Sequence, residues 1–271
     1  MVDCGEGTQM QLRRSHIRFL NIRCVFISHL HGDHCFGLVG MLSTFGMLGR
    51  TMPLHIYAPT DMEPLLALEK QLFLQGLTYE VVFHGVDTKT QKVVYEDRSL
   101  TVETLPLHHR VPCCGYLFRE KPTLPHIRRD MIDYLNIPFS QINNIKNGAD
   151  WTTEDGKTIS NNRLVLTADA PRSYAYCSDT CYLPKLHERI KGVNLLYHES
   201  TYASDYPERA KKFFHSTSQQ AAQVARDAGA GQLLLGHYSA RYDNEQQLLE
   251  EARQIFPNSF LTDEGAVFDV K

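Results

Sequence analysis

One stretch of the sequence constrains the fold more than any other: Val25-Phe26-Ile27-Ser28-His29-Leu30-His31-Gly32-Asp33-His34. Its first part is β-branched and aromatic, which indicates a buried strand. Side chains two residues apart in a strand point the same way, so His29 and His31 can face one point. Gly32 permits a sharp turn, which lets Asp33 and His34 face that point too. Such donors suit Zn²⁺ or another borderline divalent metal, and the preceding strand argues against a histidine-rich surface turn.

Composition narrows the class of protein. The 271 residues are 42% hydrophobic, enough for a substantial core in one large domain. No apolar run reaches the ~18 residues that a membrane span needs, and the first residues lack the layout of a signal peptide. The net charge of −3 means that any contact with RNA would be local. Seven irregularly spaced cysteines predict reduced thiols in a cytoplasmic protein.

Alternating strand and helix patterns predict a layered α/β domain over residues 1–271. Residues 164–168 and 174–178 are among the predicted strands. Residues 218–228 predict a helix that ends at Gly229, with a capping box from Ser216 and Gln219 or from Thr217 and Gln220. Residues 119–159 differ, because they are rich in proline and basic residues and have little apolar periodicity. A stretch of this length predicts an inserted, flexible arm.

Further metal-binding side chains follow other predicted strands. His108, His109, Asp179 and His237 each lie at a strand end, where a rigid sheet holds loops in place. If the site held two metals, it would need about seven ligands, including one bridging carboxylate. The stretch that ends at His34 supplies four of them. Asp179, His237 and one of the 108/109 pair would complete the set, and periodicity alone does not choose between His108 and His109.

The His-x-His-x-Asp-His pattern resembles the metal signature of the metallo-β-lactamase superfamily, which implies a binuclear hydrolase on a four-layer αββα sandwich. Other stretches, in order over nearly the whole chain, resemble the ribonuclease Z family. They are Asp3-Cys4-Gly5-Glu6-Gly7-Thr8-Gln9, His109-Arg110 through Gly115-Tyr116, Ser178-Asp179-Thr180, His198-Glu199-Ser200-Thr201, His215-Ser216-Thr217 and Gly236-His237-Tyr238-Ser239-Ala240-Arg241-Tyr242.

The resemblance implies two metal sites, occupied by Zn²⁺ or alternatively by Mn²⁺. The ligands that it implies are His29, His31 and His109 for one ion, Asp33, His34 and His237 for the other, and Asp179 as the bridge. His109 is chosen over His108 because it precedes the Gly-Tyr pair by the offset found in the family. The resemblance also implies a homodimer.

The implied reaction is endonucleolytic removal of 3′ trailers from precursor tRNA. A metal-activated water would attack the phosphodiester and leave a 3′-hydroxyl, with Asp33 accepting the proton of the water. His215 would donate a proton to the leaving oxygen, and Glu199 would orient His215 by a hydrogen bond. The residues expected to contact the substrate are Arg128 and Arg129 in the arm, and Ser216 and Thr217 at a helix N-terminus.

The sequence departs from the family in two places. Family arms are glycine-rich and carry a Pro-Pro-Gly-Pro element, whereas this arm has Ile137-Pro138-Phe139-Ser140. The two strands that usually precede the Asp3 motif are absent. Two alternative functions follow from the same residues: another phosphodiesterase or glyoxalase II-like hydrolase of this fold, and an inactive RNA-binding relative. The complete ligand set argues against the inactive relative.

Overall fold

A computed structural model describes residues 1–271, which form two compact units. The body comprises residues 1–119 and 173–271, and the inserted unit comprises residues 120–172. The strands are β1 (Cys24–Phe26), β2 (Leu54–Pro59), β3 (Val81–Val86), β4 (Val93–Glu96), β5 (Leu100–Pro106), β6 (Cys114–Glu120), β7 (His126–Ile127), β8 (Trp151–Thr152), β9 (Thr158–Ile159), β10 (Val165–Leu166), β11 (Ser173–Cys177), β12 (Leu195–Glu199), β13 (Gln232–Gly236) and β14 (Ser259–Leu261).

The helices are mostly short, and none is both long enough and apolar enough to cross a bilayer. They are α1 (Thr8–Arg14), α2 (Gly32–Cys35), α3 (Leu38–Met47), α4 (Met62–Phe73), α5 (Arg129–Tyr134), α6 (Phe139–Lys146), α7 (Asn161–Leu164), α8 (Leu186–Arg189), α9 (Pro207–Phe213), α10 (Ser218–Ala228) and α11 (Gln246–Ile255), with a 3₁₀ turn at Phe19–Asn21.

The body contains two sheets. The smaller sheet has three parallel strands in the order β1-β2-β3. The larger sheet has seven strands in the order β14-β13-β12-β11-β6-β5-β4. Its strands β11 to β14 run parallel to one another, so their carboxyl ends lie at one edge of the sheet.

Side-chain alternation explains how the sheets are stacked. On β2, Leu54 and Ile56 face a core that includes Leu42 of α3 and Leu66 of α4. Tyr57, on the opposite face of the same strand, belongs to a second core between the sheets. That core contains Phe26 of the small sheet and Tyr116 of the large sheet, whose ring centroids lie 5.2 Å apart.

The outer face of the large sheet is covered by helices. Leu196 and Leu233 pack there against the alanine-rich face of α10, and Leu249 of α11 joins the same core. The order of layers is therefore helices, small sheet, large sheet, helices. This arrangement confirms the four-layer αββα fold that the sequence predicted.

Helix α10 begins and ends as its sequence predicts. Of the two possible capping boxes, the structure forms the one from Thr217 and Gln220. The helix ends at Gly229, whose φ of 62° is a conformation that glycine adopts without strain. This cap fixes the chain just after His215.

The inserted unit has a core of its own, formed by Ile137, Ile145, Ile159 and Leu164. Three short helices, α5, α6 and α7, contribute to it, although the sequence shows little apolar periodicity here. The predicted strand at residues 164–168 shrinks to Val165–Leu166, which pairs with β7. Leu164 ends helix α7 instead, because its fully buried side chain packs in this core. Flexibility and contact with tRNA stay predictions for this segment.

Candidate metal centre

The histidine-rich stretch turns sharply after β1. Helix α2 begins at Gly32, and the extended backbone of His31 precedes it. The N-terminal loop packs closely on this turn, since the Cys4 backbone N–H donates to the His34 carbonyl at 2.8 Å. A Cβ on Gly5 would overlap the Asp33 carbonyl, and a Cβ on Gly37 would overlap the Gly5 carbonyl. Two glycines thus permit the backbone approach that places the ligand-bearing turn.

The turn and two strand ends assemble a first group of metal donors: His29, His31, His109 and Asp179. Its donor atoms all lie within 4.8 Å of one another. His31 Nδ1 is 3.1 Å from His29 Nε2 and 3.2 Å from His109 Nε2. The exposed ring of His108 points elsewhere and contacts Phe214, with a centroid distance of 5.4 Å. The structure thus places His109 in this group and leaves His108 out.

A second group consists of Asp33, His34 and His237. Asp33 Oδ2 lies 3.3 Å from His34 Nε2 and 3.7 Å from His237 Nε2. Asp179 reaches this group with its other oxygen. Asp179 Oδ1 is 3.5 Å from His34 Nε2 and 3.3 Å from His237 Nε2, while Oδ2 is 3.7 Å from both His29 and His109. One carboxylate therefore faces both groups.

These donor sets fit metal ions. Two ligands each roughly 2.1 Å from a tetrahedral ion lie roughly 3.4 Å apart, close to the observed separations. His34 Nε2 is buried and has no hydrogen-bond partner, although buried polar atoms are almost always paired. A cation between the donors would satisfy this nitrogen and the facing imidazole lone pairs.

The electrostatics of the two groups differ. Burial, reinforced by three neighbouring imidazoles, lowers the pKa of His29 to about 2. Burial also lowers the pKa of His109, so these rings are neutral donors at pH 7. In the second group the ring of His237, 3.7 Å from the carboxylate, holds the pKa of Asp33 below its usual range. Burial opposes protonation of His237, but Asp33 and the nearby carboxylates outweigh it and raise its pKa to about 9. The second group therefore attracts positive charge.

Four of the candidate donor histidines have their other ring nitrogen anchored. The partners are Ser28 Oγ at 2.9 Å for His29, Asp3 Oδ2 at 2.8 Å for His34, the Phe214 carbonyl at 2.9 Å for His109 and Thr201 Oγ1 at 2.8 Å for His237. Such contacts fix ring orientation and tautomer in metal sites. No local sequence pattern predicts these anchoring contacts, although Asp3 and Thr201 lie within the motif stretches 3–9 and 198–201.

Asp3 anchors more than one ligand. Its Oδ2 accepts from His34 Nδ1, from the Ser28 hydroxyl at 2.9 Å and from the Tyr176 hydroxyl at 2.8 Å. Its Oδ1 accepts from the Ser28 backbone N–H at 2.7 Å. Ser28 in turn contacts His29, so one carboxylate supports a ligand in each group. In the sequence, Asp3 is marked only as the first residue of the stretch that ends at Gln9, because its partners lie far along the chain.

His215 and Glu199 lie beside the second group. His215 Nδ1 is 2.9 Å from Glu199 Oε1, and the His215 ring stacks on His237 with a centroid distance of 5.3 Å. Glu199 is fully buried and also accepts from the Thr180 backbone N–H at 2.7 Å. The other nitrogen of His215, Nε2, is left for the site.

The four residues predicted to bind substrate do not belong to the donor groups. Ser216 is buried and donates to the Thr180 carbonyl at 2.8 Å, and the buried Thr217 caps α10. Their side chains support the loop of His215, so their burial argues against direct contact with RNA. Arg128 and Arg129 belong to the inserted unit, where Arg128 forms a 2.6 Å ion pair with Asp130 and Arg129 is exposed. Substrate contact by these four residues stays a prediction.

Comparison with known proteins identifies relatives of this chain. Ribonuclease Z of Phocaeicola vulgatus is 54% identical over 97% of this chain and 85% of its own length. Ribonuclease Z of Porphyromonas gingivalis strain W83 is 45% identical over 100% of this chain and 89% of its own length. The family model described as anti-Pycsar protein Apyc1 matches residues 1–122.

Solved structures share the fold. Human tRNase Z, short form, superposes with a TM-score of 0.69 at 23% identity, covering 100% of this chain and 87% of its own. The metallo-β-lactamase fold protein YhfI from Bacillus subtilis gives a TM-score of 0.65 at 18% identity, covering 99% and 86%. The sequence-based prediction of family and fold is confirmed. The chain belongs to the ribonuclease Z family, whose members are phosphodiester-hydrolysing nucleases.

Proposed function

We propose that this protein is a metal-dependent endoribonuclease that removes 3′ trailers from precursor tRNA and leaves a 3′-hydroxyl. One observation carries the proposal: Asp179 presents one carboxylate oxygen to each of two adjacent donor groups. A bridging carboxylate of this kind is what a two-metal phosphodiesterase needs. Membership of the ribonuclease Z family supplies the substrate class.

We infer that two Zn²⁺ ions occupy the site, with Mn²⁺ as the alternative. Imidazole nitrogens dominate the first group, which favours a borderline metal such as Zn²⁺ over Mg²⁺ or Ca²⁺. His29, His31 and His109 would hold one ion, Asp33, His34 and His237 the other, and Asp179 would bridge them. When bound, the metals polarise the phosphodiester and lower the pKa of a water nucleophile.

Asp33 is suited to accept the proton of the attacking water. Its side chain is 66% exposed, whereas that of Asp179 is 3% exposed. Of these two carboxylates, Asp33 alone is thus open to solvent and substrate, and its lowered pKa keeps it ionised. Attack by water in line with the leaving 3′-oxygen then cleaves the P–O bond.

His215 is suited to donate a proton to the leaving 3′-oxygen. Its Nδ1 donates to Glu199, which fixes the ring and leaves Nε2 for the substrate. Its ring lies between those of His109 and His237, with centroid distances of 5.1 and 5.3 Å. A general acid must lie within hydrogen-bond reach of the leaving group, and this placement beside both donor groups provides it.

The inserted unit is the proposed tRNA-binding exosite. Its basic residues, among them the partly exposed Arg128 and the exposed Arg129, suit the phosphate backbone of the tRNA. Local binding of this kind is what the net charge of −3 requires. The two strands that lead to and from this segment are neighbours, since Arg119 of β6 pairs with Ser173 of β11.

We further infer a homodimer that works in the cytoplasm. One face of α4 exposes Leu65, Leu68 and Leu72 at helical spacing, with the exposed Phe73 beside them. Contiguous exposed apolar surface of this kind is typical of protein interfaces. All seven cysteines are unpaired, as expected in a reducing compartment. Sedimentation of the wild type and of Leu68→Glu tests the dimer, which the added charge should dissociate.

A cleavage assay tests the function. Metal-loaded protein is given a precursor tRNA with a 3′ trailer, and the new end is mapped. We expect a cut after the discriminator base that leaves a 3′-hydroxyl, is lost in Asp33→Ala and is retained in Glu63→Ala, an exposed carboxylate on α4. Hydrolysis of a small phosphodiester or thioester without cleavage of RNA would instead support another hydrolase of this fold.

A further inference from the structure

Thr201 lies between His237 of the second donor group and His215, the proposed proton donor. We propose that it is a positioning residue whose hydroxyl orients the ligand His237 and the acid His215 together, through the carboxylate of Glu199. The proposal rests on the metal-dependent function proposed above. It makes metal binding at one site and proton donation depend on the same hydroxyl.

The hydroxyl has three polar partners. Thr201 Oγ1 lies 2.6 Å from Glu199 Oε2, 2.8 Å from His237 Nδ1 and 3.2 Å from His215 Nδ1. The Thr201 backbone N–H also donates to Glu199 Oε2, at 3.2 Å. No other side chain in the centre contacts a metal donor, the proposed acid and the buried carboxylate at once.

The donor and acceptor roles follow from the number of protons. An ionised carboxylate only accepts hydrogen bonds, so the single hydroxyl proton of Thr201 must go to Glu199. The lone pairs of the hydroxyl oxygen then accept from the imidazoles, which places a proton on Nδ1 of His237. In the neutral imidazole that a metal ion would bind, His237 Nε2 then carries the lone pair, facing Asp33 and Asp179. The hydroxyl thus selects the tautomer that can bind a metal.

The same assignment holds for His215. Its Nδ1–H is shared between Glu199 Oε1 at 2.9 Å and the Thr201 hydroxyl at 3.2 Å. Glu199 is itself held by Thr180 and Thr201, so its two oxygens are locked. Loss of the Thr201 hydroxyl would remove one bond to His215 and one to Glu199, and would let the acid ring turn.

His237 needs such support because its backbone is unusual. Its φ is 56°, in the left-handed region that residues with a Cβ seldom adopt. The residue before it is also constrained, since a Cβ on Gly236 would overlap the Tyr197 ring. The chain therefore makes a tight turn at this ligand, and the Thr201 contact holds the side chain at the end of that turn.

A comparison within the centre shows what is special about Thr201. Ser28 forms a similar relay in the first group, because its hydroxyl contacts both His29 Nδ1 and Asp3 Oδ2 at 2.9 Å. Ser28 contacts no proton donor, however. Loss of the Ser28 hydroxyl should thus weaken a metal site alone, whereas loss of the Thr201 hydroxyl should affect a metal site and proton donation together.

The test compares three substitutions. Thr201→Val keeps the side-chain shape and removes the hydroxyl, Thr201→Ser keeps the hydroxyl, and Ser200→Ala is the control. Ser200 is a buried neighbour whose hydroxyl donates to the Gly236 carbonyl at 3.1 Å and touches no metal donor. Metal affinity is measured by competition with a chelator. The values of kcat and KM are measured on precursor tRNA at saturating metal.

We expect Thr201→Val to weaken one of two Zn²⁺ sites by about 10- to 100-fold, as loss of such anchors does. Its kcat should also fall at least tenfold at saturating metal, with KM little changed. Thr201→Ser should restore both within about threefold, and Ser200→Ala should change neither. If Thr201→Val does not fold, Thr201→Ala with a measured melting temperature replaces it.

Two results would overturn the inference. One is wild-type metal affinity and kcat in the hydroxyl-free variant. The other is a loss that serine fails to restore, which would assign Thr201 a packing role. Wild-type protein that binds no metal, or binds it without cleaving tRNA precursors, would show instead that the proposed function itself is wrong. Failure of the proposed function would appear in the wild type, whereas failure of the Thr201 inference would appear only in the variants.

Discussion

The body and the inserted unit divide the molecule into two kinds of structure. Every group of metal donors that the structure forms lies in the body, on strand ends of a layered sandwich with three hydrophobic cores. The inserted unit has one small core of four buried residues and carries the two basic residues predicted to bind substrate. Chemistry should therefore depend on the body, and affinity for long substrates on the inserted unit.

Metal removal should give the largest difference in response between the body and the inserted unit. Chelation should abolish cleavage of every substrate, because the donor groups lie only in the body. It should also lower the melting temperature of the body, since facing imidazoles and carboxylates lose their shared ligand. Trp151, the single tryptophan, lies in the inserted unit and reports on that unit alone by fluorescence.

After chelation we expect a lower melting temperature by far-ultraviolet circular dichroism, which follows the body. The melting temperature followed by Trp151 fluorescence should change little. Adding back Zn²⁺ should restore the first transition and the activity. An equal shift of both melting temperatures would show that the two units unfold as one, which contradicts their separate response to metal removal.

Asp179→Asn should have the next largest effect on activity. Asparagine keeps the shape of the side chain but loses the charge that faces both donor groups. Loss of several kcal/mol of transition-state stabilisation would lower kcat by about 10³-fold. The loss should be the same on precursor tRNA and on a small phosphodiester such as bis(p-nitrophenyl) phosphate. Asp227→Asn, on exposed α10 surface, is the matched control. A loss confined to tRNA would contradict the assignment of Asp179 to the chemistry.

The sequence predicted the body well because its signals are local. The stretch that ends at His34 and the apolar strands before Asp179 and His237 each carry their own pattern, and the structure brings these residues together. The anchors were not predictable in this way. Asp3 contacts Tyr176 across 173 positions, and Thr201 contacts His237 across 36. Nothing in the local sequence of either residue encodes that contact.

The inserted unit was predicted less well for a physical reason. Its core uses scattered side chains, such as Ile137, Ile159 and Leu164, from short elements rather than one long amphipathic helix. Periodicity over so few turns gives a weak signal. The sequence therefore shows no clear pattern where the structure has a folded unit with three short helices, α5, α6 and α7, and the flexibility of this arm stays a prediction.

Leu164→Ala tests whether that fold serves the substrate. The side chain is fully buried in the small core, so its truncation should destabilise the inserted unit by about 2–4 kcal/mol. We expect KM for precursor tRNA to rise about tenfold, and the Trp151 transition to fall, with unchanged kcat on the small phosphodiester. Leu124→Ala removes an exposed side chain of the same unit and should change none of these values. A lowered rate on the small substrate would link the inserted unit to the chemistry.

The smallest effects should come from single charges on the inserted unit. Arg129 is exposed, whereas Arg128 forms an ion pair with Asp130 at 2.6 Å. Arg129→Ala should raise KM for precursor tRNA about threefold and reduce the salt slope of binding by about 1, as loss of one phosphate contact does. Arg128→Ala should have less effect than Arg129→Ala. Asp130→Ala should tighten binding, because it releases the guanidinium of Arg128. If all three variants bind tRNA like the wild type, these residues lie outside the RNA contact and the exosite must use another surface.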